Sequence, residues 1–196
     1  MKTHALSLGL AAALLAAGGC DNKGADNRTS AQTPEAQKAA GSKTISAGLA
    51  QDGRFMAIAK SAGLDQTLGG AGPYTVIVPD DAAFAKVPAG TLDTKPENRG
   101  QLTAVVTNLI LPGTVMAADI EKAIDKGKGK AVLATMGGGT LTATKDGGKL
   151  VLADAGGAKA TVTKADDSYS NGVVHHVDAV LMPAKQASAP PTKAGG

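Results

Sequence analysis

Aromatic residues are scarce in this chain of 196 residues: Phe55, Phe84, Tyr74 and Tyr169 are its only four, and tryptophan is missing. Proteins that bind single-stranded nucleic acid stack bases on aromatic side chains, so this scarcity argues against such a role. It argues equally against a groove in which sugars stack on rings. The core must be built mainly from leucine, valine, isoleucine and alanine.

Excess charge is lacking as well, since 20 Lys and Arg stand against 17 Asp and Glu and the formal net charge is +3. The basic residues are dispersed along the chain, whereas nucleic-acid binders usually cluster them on one face. We therefore expect no nucleic-acid partner.

Cysteine occurs once, at Cys20, which excludes an intrachain disulfide. Lys2 and the apolar stretch from Ala5 to Ala17 read as a signal peptide, and this stretch is too short to span a bilayer. The arrangement resembles a bacterial lipoprotein signal, in which Cys20 becomes the lipidated first residue, although Ala17 stands where leucine is usual. An ordinary secretory signal with an incidental cysteine is the alternative.

Four segments follow from composition. Residues 1–19 are predicted to be the lipoprotein signal peptide, and polar residues 20–43 a lipidated flexible tether. Residues 44–183 form one predicted domain, and the Pro- and Gly-containing residues 184–196 a disordered tail. The expected location is the cell envelope, with the domain lipid-anchored and extracytoplasmic, at the periplasmic face of the inner membrane or at the outer membrane.

Periodicity predicts an α+β domain. A helix is predicted around Phe55, with a break at Gly63, and further helices at 96–111 and 117–126. Asp80 or Asp81 is placed to cap a helix that runs through Phe84. From residue 131 the apolar period is two. Strands are predicted at 140–144, 149–153, 158–162 and 173–182, with turns at 146–148 and 156–157.

Two blocks, residues 72–84 and 171–183, each read as a buried strand bounded by turn residues. Together they resemble the two signature blocks of the fasciclin-like (FAS1) domain, over about residues 44–183. The signature positions that match are Thr75, Pro79, Asp81, Phe84, Asn171, Gly172, His175 and Asp178.

The resemblance implies a single α+β domain, a β-sandwich or wedge with helices packed at one side. It also implies a non-catalytic adhesion or binding module that contacts a protein or polysaccharide, with no cofactor and no metal, and with signature residues that are structural. One departure concerns the Tyr-His pair that family members often carry before a Pro-Gly turn. Here Asn108-Leu109 takes its place, so the integrin-dependent adhesion of some animal members is not transferred.

His175, His176 and Asp178 leave a second possibility open, a small-ligand or metal-binding envelope lipoprotein. Adjacent strand residues point to opposite faces, so the two imidazoles should diverge while His176 and Asp178 share a face. Two ligands fall short of the usual three or four for zinc.

Other motifs are weaker. Asp80 and Asp81 are read as helix-capping residues rather than an acid–base pair, and Asn171-Gly172 as a turn. The basic run 126–130 could meet acidic polysaccharide or phospholipid, or be a solvated turn. Residues 137–139 lack the remainder of a phosphate-binding loop.

Overall fold

The computed structural model of the protein describes residues 41–49 and 53–183. The predicted signal peptide, Cys20, most of the predicted tether and the 184–196 tail lie outside the described residues. Of the tether, residues 41–43 are described, and the Lys43 carbonyl accepts a hydrogen bond from the Ser170 amide at 2.9 Å. None of the helices in the described part combines the length and the apolar character needed to cross a membrane.

Helices dominate the first half of the domain and strands the second. The helices are α1 (Ile45–Gly48), α2 (Arg54–Ala62), α3 (Asp65–Gly69), α4 (Asp81–Ala85), α5 (Arg99–Asn108) and α6 (Ala117–Lys126), with a 3-10 turn at Pro96–Asn98 before α5. The strands are β1 (Tyr74–Pro79), β2 (Ile110–Pro112), β3 (Lys130–Ala134), β4 (Thr140–Asp146), β5 (Lys149–Ala153), β6 (Lys159–Tyr169) and β7 (Gly172–Val177).

The seven strands form one sheet in the order β2-β1-β7-β6-β5-β4-β3. All neighbouring pairs are antiparallel except β1 and β7, which run parallel. The sheet is nearly closed, because the Met136 amide after β3 donates to the Ile110 carbonyl of β2 at 2.8 Å. The predicted α+β fold, a wedge of one sheet with a few helices, is confirmed.

The core is aliphatic, as the scarcity of aromatics predicts. Phe55 is the one aromatic residue among the largest fully buried side chains of the described residues, and Phe84 is also buried. The rest are leucines and isoleucines from both the helices and the sheet. Burial of such side chains contributes roughly 1.5–3 kcal/mol each, which makes this core the main source of stability.

Several local predictions are confirmed. Helix α2 ends at Gly63, whose φ of 77° is a left-handed conformation that glycine adopts without strain. Helix α6 covers the predicted 117–126. Strands β4 and β5 form the predicted hairpin, with Asp146 opposite Lys149 and positive φ at both glycines between them.

The prediction of one helix over 96–111 is wrong at its end. Helix α5 stops at Asn108, and Ile110 belongs to strand β2, opposite Val76 of β1. The apolar run 109–111 is buried in either conformation, so its pattern cannot distinguish a last helical turn from a short strand. Strand β1 offers a free edge there, and the Ile77 amide donates to the Leu109 carbonyl at 2.8 Å.

The last two strands also differ from their predicted bounds. Strand β7 ends at Val177 instead of Met182, because the carboxylate and amide of Asp178 both bond to Thr161. Strand β6 runs to Tyr169 instead of Val162, with irregular pairing between Val162 and Asp167. Its second half is polar and therefore lacks the alternation that identifies a half-buried strand.

Candidate functional site

The two signature blocks lie side by side at the centre of the sheet. Strand β1 pairs in parallel with β7, so that Ile77 is opposite His175 and Val78 opposite His176. Residues roughly a hundred positions apart thereby form one surface. Several polar side chains of this surface are buried and form hydrogen bonds within the domain.

Thr75 is fully buried and connects β1 to the segment after β2. Its hydroxyl donates to the Gly113 carbonyl at 2.8 Å and accepts from the Val115 amide at 2.8 Å. Both hydrogen-bonding capacities of the hydroxyl are therefore used inside the domain.

His175 is fully buried on the same inner surface. Its Nε2 lies 2.9 Å from the Val115 carbonyl, and its Nδ1 accepts a hydrogen bond from the Asp166 amide at 3.2 Å. These partners fix the neutral tautomer with the proton on Nε2. Burial lowers the pKa of His175, an effect that the Val115 hydrogen bond and the charge of Asp166 offset only in part.

This buried imidazole predicts a loss of stability in mild acid. Because the pKa of His175 is lower in the folded state, unfolding takes up a proton below about pH 6.5, the ordinary histidine value. The free energy of unfolding should then fall with decreasing pH, with a slope of at most about 1.4 kcal/mol per pH unit from this residue. Urea titrations between about pH 7.5 and pH 5 measure the slope.

The matched variants are His175→Gln, which removes the buried titration, and His176→Gln, which keeps it. We expect a shallower slope for His175→Gln alone. Equal slopes in His175→Gln and the unsubstituted protein would contradict the assignment.

Asn171 lies in the predicted turn directly before β7, and its side chain is in addition a buried hydrogen-bonding hub. Its Oδ1 accepts from the Ile45 amide at 2.8 Å, and its Nδ2 donates to the Leu68 and Gly70 carbonyls, each at 2.8 Å. Asn171 thus connects the first residue of α1 and the end of α3 to the start of β7 at Gly172.

Pro79, Phe84 and Asp178 also pack or form hydrogen bonds within the domain, whereas Asp81 is exposed. Pro79 ends β1 opposite Val177, and Phe84 is buried beneath the Arg54 guanidinium, which lies 5.8 Å from the ring centre. Asp178 accepts from the Thr161 amide at 2.7 Å through Oδ1. Asp81 is the first residue of α4 and is exposed.

Asp80 occupies the capping position of α4, but its side chain makes no capping hydrogen bond. Its carboxylate instead accepts from the Thr163 hydroxyl at 3.0 Å and lies 3.6 Å from Nδ1 of His176. The prediction of a carboxylate cap is therefore right in position and wrong in the hydrogen bond, because strand β6 supplies a competing donor.

His176 does not face Asp178, contrary to the prediction from strand alternation. Its Nδ1 faces Asp80 and its Nε2 faces Asp167, each at 3.6 Å. The reason is that Asp178 has already left the strand. Since the two ring nitrogens point away from each other, these carboxylates cannot join His176 around a single ion, and the described residues hold no cluster of three or more His, Cys, Asp or Glu suited to a metal.

A polar groove surrounds His176, with a volume of about 500 Å³. It is lined by Lys43, Ala47, Gly48, Asp80, Thr163, Lys164, Asp167, Tyr169 and His176. Burial raises the pKa of Asp167, but hydrogen bonds from Lys164, Tyr169 and His176 outweigh it and hold that pKa below its ordinary value. Sequence reasoning missed this cluster because the second half of β6 was not recognised as a strand.

A second cavity lies at the end of α5, with a volume of about 820 Å³. We call it the Asn108 pocket; it is lined by Thr91, Gln101, Ala104, Val105, Asn108, Gly137, Gly138, Gly139, Thr140, Ala155, Met182 and Pro183. Asn108 is 3% exposed, and its Oδ1 lies 3.5 Å from the Thr135 hydroxyl. Its Nδ2 is buried without a hydrogen-bond partner among the described residues.

Glycines allow the loop 137–139 to pack against Asn108. A Cβ on Gly139 would lie 2.8 Å from Asn108 Oδ1, and one on Gly137 would lie 2.9 Å from the Thr107 hydroxyl. The three successive glycines are the sequence signal for this approach, although sequence alone does not identify what the loop approaches.

Comparison with known proteins identifies the family to which this fold belongs. The sequence model of the fasciclin domain matches residues 53–183. The chain belongs to the fasciclin family.

Among curated relatives of this fasciclin protein, protein sll1483 of Synechocystis is 32% identical over 148 residues, which cover 74% of this chain and 71% of the relative. Immunogenic protein MPB70 of Mycobacterium bovis is 29% identical over 112 residues, or 57% of this chain and 51% of that protein.

A solved FAS1 domain pair from the insect cell adhesion molecule Fasciclin I shares the fold, with a TM-score of 0.62 and 17% identity. The match covers 71% of this chain and 51% of the insect chain. This chain thus spans about half the length of the mycobacterial relative and of the insect structure.

The fasciclin domain is an adhesion-type module and generally not an enzyme. Within this fasciclin chain, Asn108 departs from the Tyr-His pair that the resemblance implies, and it is one of the residues that line the Asn108 pocket. The basic run lies where α6 ends and β3 begins, and Lys126, Lys128 and Lys130 are all exposed.

Proposed function

We propose that this protein is a lipid-anchored binding module of the bacterial cell envelope, which contacts a protein partner on the extracytoplasmic side and catalyses no reaction. A polysaccharide partner is the alternative. The family, an adhesion-type module, supports the binding role. The signal-like sequence that ends at Cys20 supports the lipid anchor, at the periplasmic face of the inner membrane or at the outer membrane.

The proposed contact with a partner lies on an exposed face of strands β3 and β4. Val132 of β3 is 64% exposed, the highest value among large hydrophobic side chains of the described residues. We call its surroundings the Val132 face: the outward residues Lys130, Val132 and Ala134 of β3, with Thr144, Thr142 and Thr140 opposite them on β4. Ala131 and Leu141 of the same strands point inward and are buried.

The chemistry of the Val132 face favours a protein over a sugar. Val132 offers an aliphatic surface flanked by threonine hydroxyls. The exposed large hydrophobic side chains of the described residues include no aromatic ring on which a sugar could stack. Lys126, Lys128 and Lys130 add positive charge at one end of this face, which suits an acidic border on the partner.

The alternative of a small ligand or metal at the histidine pair has less support. His175 uses both ring nitrogens inside the fold, and His176 lies between two carboxylates on opposite sides of its ring. Among the described residues, each His176 nitrogen has a single carboxylate beside it, which is fewer than the three or four ligands of a typical zinc site.

Cells that express three forms of the full chain test both parts of the proposal: unsubstituted, Cys20→Ser and Val132→Glu. The unsubstituted chain should fractionate with membranes and yield cross-linked complexes in intact envelopes. Cys20→Ser should be released into the soluble extracytoplasmic fraction. Val132→Glu should remain in membranes and lose most of the cross-linked complex, because a charge on the contact face must be desolvated.

Ala118→Glu places the same charge on an exposed position of α6 and serves as the matched control. Equal membrane retention of Cys20→Ser would refute the anchor. Undiminished cross-linking of Val132→Glu would refute the contact face, and complexes whose added mass is removed by glycosidases would replace the protein partner with a polysaccharide.

A further inference from the structure

The Asn108 pocket has the dimensions of a small-molecule site. Its volume of about 820 Å³ lies within the range of roughly 300–1,000 Å³ that ligand pockets show. Its walls come from distant parts of the chain, with Val105 on α5, the loop before Thr140, and Met182 after β7. A cavity assembled in this way is held open by the fold and does not depend on one loop.

The lining selects for an uncharged molecule. Alanine, valine, methionine, proline and glycine form most of the wall, and no Asp, Glu, Lys, Arg or His of the described residues takes part. A charged ligand would lose its hydration there without gaining a counter-charge, which is strongly unfavourable.

Most donors around the pocket already have acceptors within the domain. Gln101 Nε2 donates to the Thr91 carbonyl at 3.1 Å. In the glycine loop, the amide of Gly137 donates to the Thr107 carbonyl at 3.0 Å, and the amide of Gly139 donates to the Thr135 hydroxyl at 3.1 Å.

Asn108 Nδ2 is different from these donors. It is the one buried side-chain nitrogen or oxygen of the described residues without a hydrogen-bond partner. A buried polar group without a partner costs about 1–3 kcal/mol, and its retention calls for an explanation. Asn108 forms part of the pocket wall, and a turn of its carboxamide toward the cavity would let an acceptor on a ligand supply the missing partner.

We propose that the Asn108 pocket binds an uncharged, largely apolar small molecule whose carbonyl or ether oxygen accepts a hydrogen bond from Asn108 Nδ2. The apolar wall holds the body of the molecule and the amide orients its polar end. The pocket borders the Val132 face at Thr140, but Val132 is not among its lining residues and Cys20 lies outside the described part of the chain, so the proposal can be tested independently of the proposed function.

A fluorescent ketone tests the proposal. Prodan is an uncharged dimethylaminonaphthalene that has a propionyl carbonyl, and its emission shifts to shorter wavelength in apolar surroundings. Dimethylaminonaphthalene without the propionyl group is the matched probe, because it keeps the apolar body and lacks the acceptor. Both are titrated into the full chain with Cys20→Ser, which removes the lipid that would otherwise bind them.

We expect saturable prodan binding and a blue shift with the Cys20→Ser chain. Adding Asn108→Leu, which is close in volume and has no donor, should weaken prodan binding about five- to tenfold and change dimethylaminonaphthalene binding less than about twofold. The same substitution should raise the thermal midpoint, because it removes a buried nitrogen that has no partner in the ligand-free protein.

Two tryptophan variants locate the binding. Ala104 is exposed on α5 and lines the pocket, so Ala104→Trp should fill it and abolish prodan binding in a folded domain. Lys122→Trp on α6, which contributes nothing to the lining, should leave binding unchanged.

Three outcomes would overturn the proposal. The first is no saturable prodan binding to the Cys20→Ser chain. The second is equal weakening of both probes by Asn108→Leu, which would show that apolar contact alone matters. The third is unchanged prodan binding in Ala104→Trp, which would place the probe elsewhere.

Discussion

Gly172→Ala should destabilise the domain by about 3–5 kcal/mol, which corresponds to a fall of about 10–20 °C in its thermal midpoint. Gly172 lies opposite Tyr74 where the parallel strands β7 and β1 meet. A Cβ on Gly172 would overlap the backbone oxygen of Tyr74 and lie 2.8 Å from its carbonyl carbon and 2.9 Å from its nitrogen.

The size of this effect follows from what must move. The atoms in the way are backbone, so no side chain can rotate to make room. The strands would have to separate at the centre of the sheet, beside the hydrogen bond of 3.0 Å from the Tyr74 amide to the Asn171 carbonyl. A loss of packing in this place affects both signature blocks together.

Gly100→Ala is the matched control. Gly100 lies in α5 with open space around its would-be Cβ, so alanine there should stabilise the domain by up to about 1 kcal/mol through its higher helix propensity. Thermal and urea unfolding measure both variants. If Gly172→Ala unfolds within about 1 kcal/mol of the unsubstituted protein, the close approach of the two strands is wrong.

Asn171→Ala should cost about 3–5 kcal/mol, because it leaves three backbone groups without partners at once. The groups are the Ile45 amide and the carbonyls of Leu68 and Gly70, each 2.8 Å from the Asn171 carboxamide. The Ile45 amide should also exchange its hydrogen much faster, since its acceptor is gone while its helix has only one turn.

Asn98→Ala provides the comparison for Asn171→Ala. Asn98 Nδ2 makes one hydrogen bond, to the Asp93 carbonyl at 3.1 Å, so its loss should cost about 1 kcal/mol. Asn171→Asp should be as damaging as alanine, because it sets a carboxylate oxygen against two carbonyls. Similar unfolding free energies for Asn171→Ala and Asn98→Ala would show that the Asn171 hub contributes little.

Much of the fold could be predicted because its signals are local. The Asp146-Gly147-Gly148 turn and the alternating residues beside it specify the β4–β5 hairpin through short-range geometry. Strand β6 was underestimated because residues 163–169 have no apolar alternation. They pair with β7 through backbone groups, and backbone pairing leaves no mark on side-chain type.

The candidate sites depend on contacts between distant residues, which a single sequence does not reveal. Asn171 was interpreted as part of a turn because an Asn-Gly pair favours one, and its partner Ile45 lies 126 positions away. His176 was paired with Asp178 on the assumption that β7 continues, whereas its neighbours come from the start of α4 and from β6. The break at Asp178 is set by Thr161, on another strand.

The parallel pairing of β1 with β7 also determines when the protein can acquire its native structure. Strand β1 is synthesised first among the strands, but it pairs in parallel with β7, the last strand in the sequence. A chain that has not been completed up to Val177 leaves a buried hydrophobic strand with one edge unpaired, a state that favours aggregation. The domain therefore completes its folding only after synthesis has passed Val177, so strand β1 waits for its partner while about a hundred further residues are added.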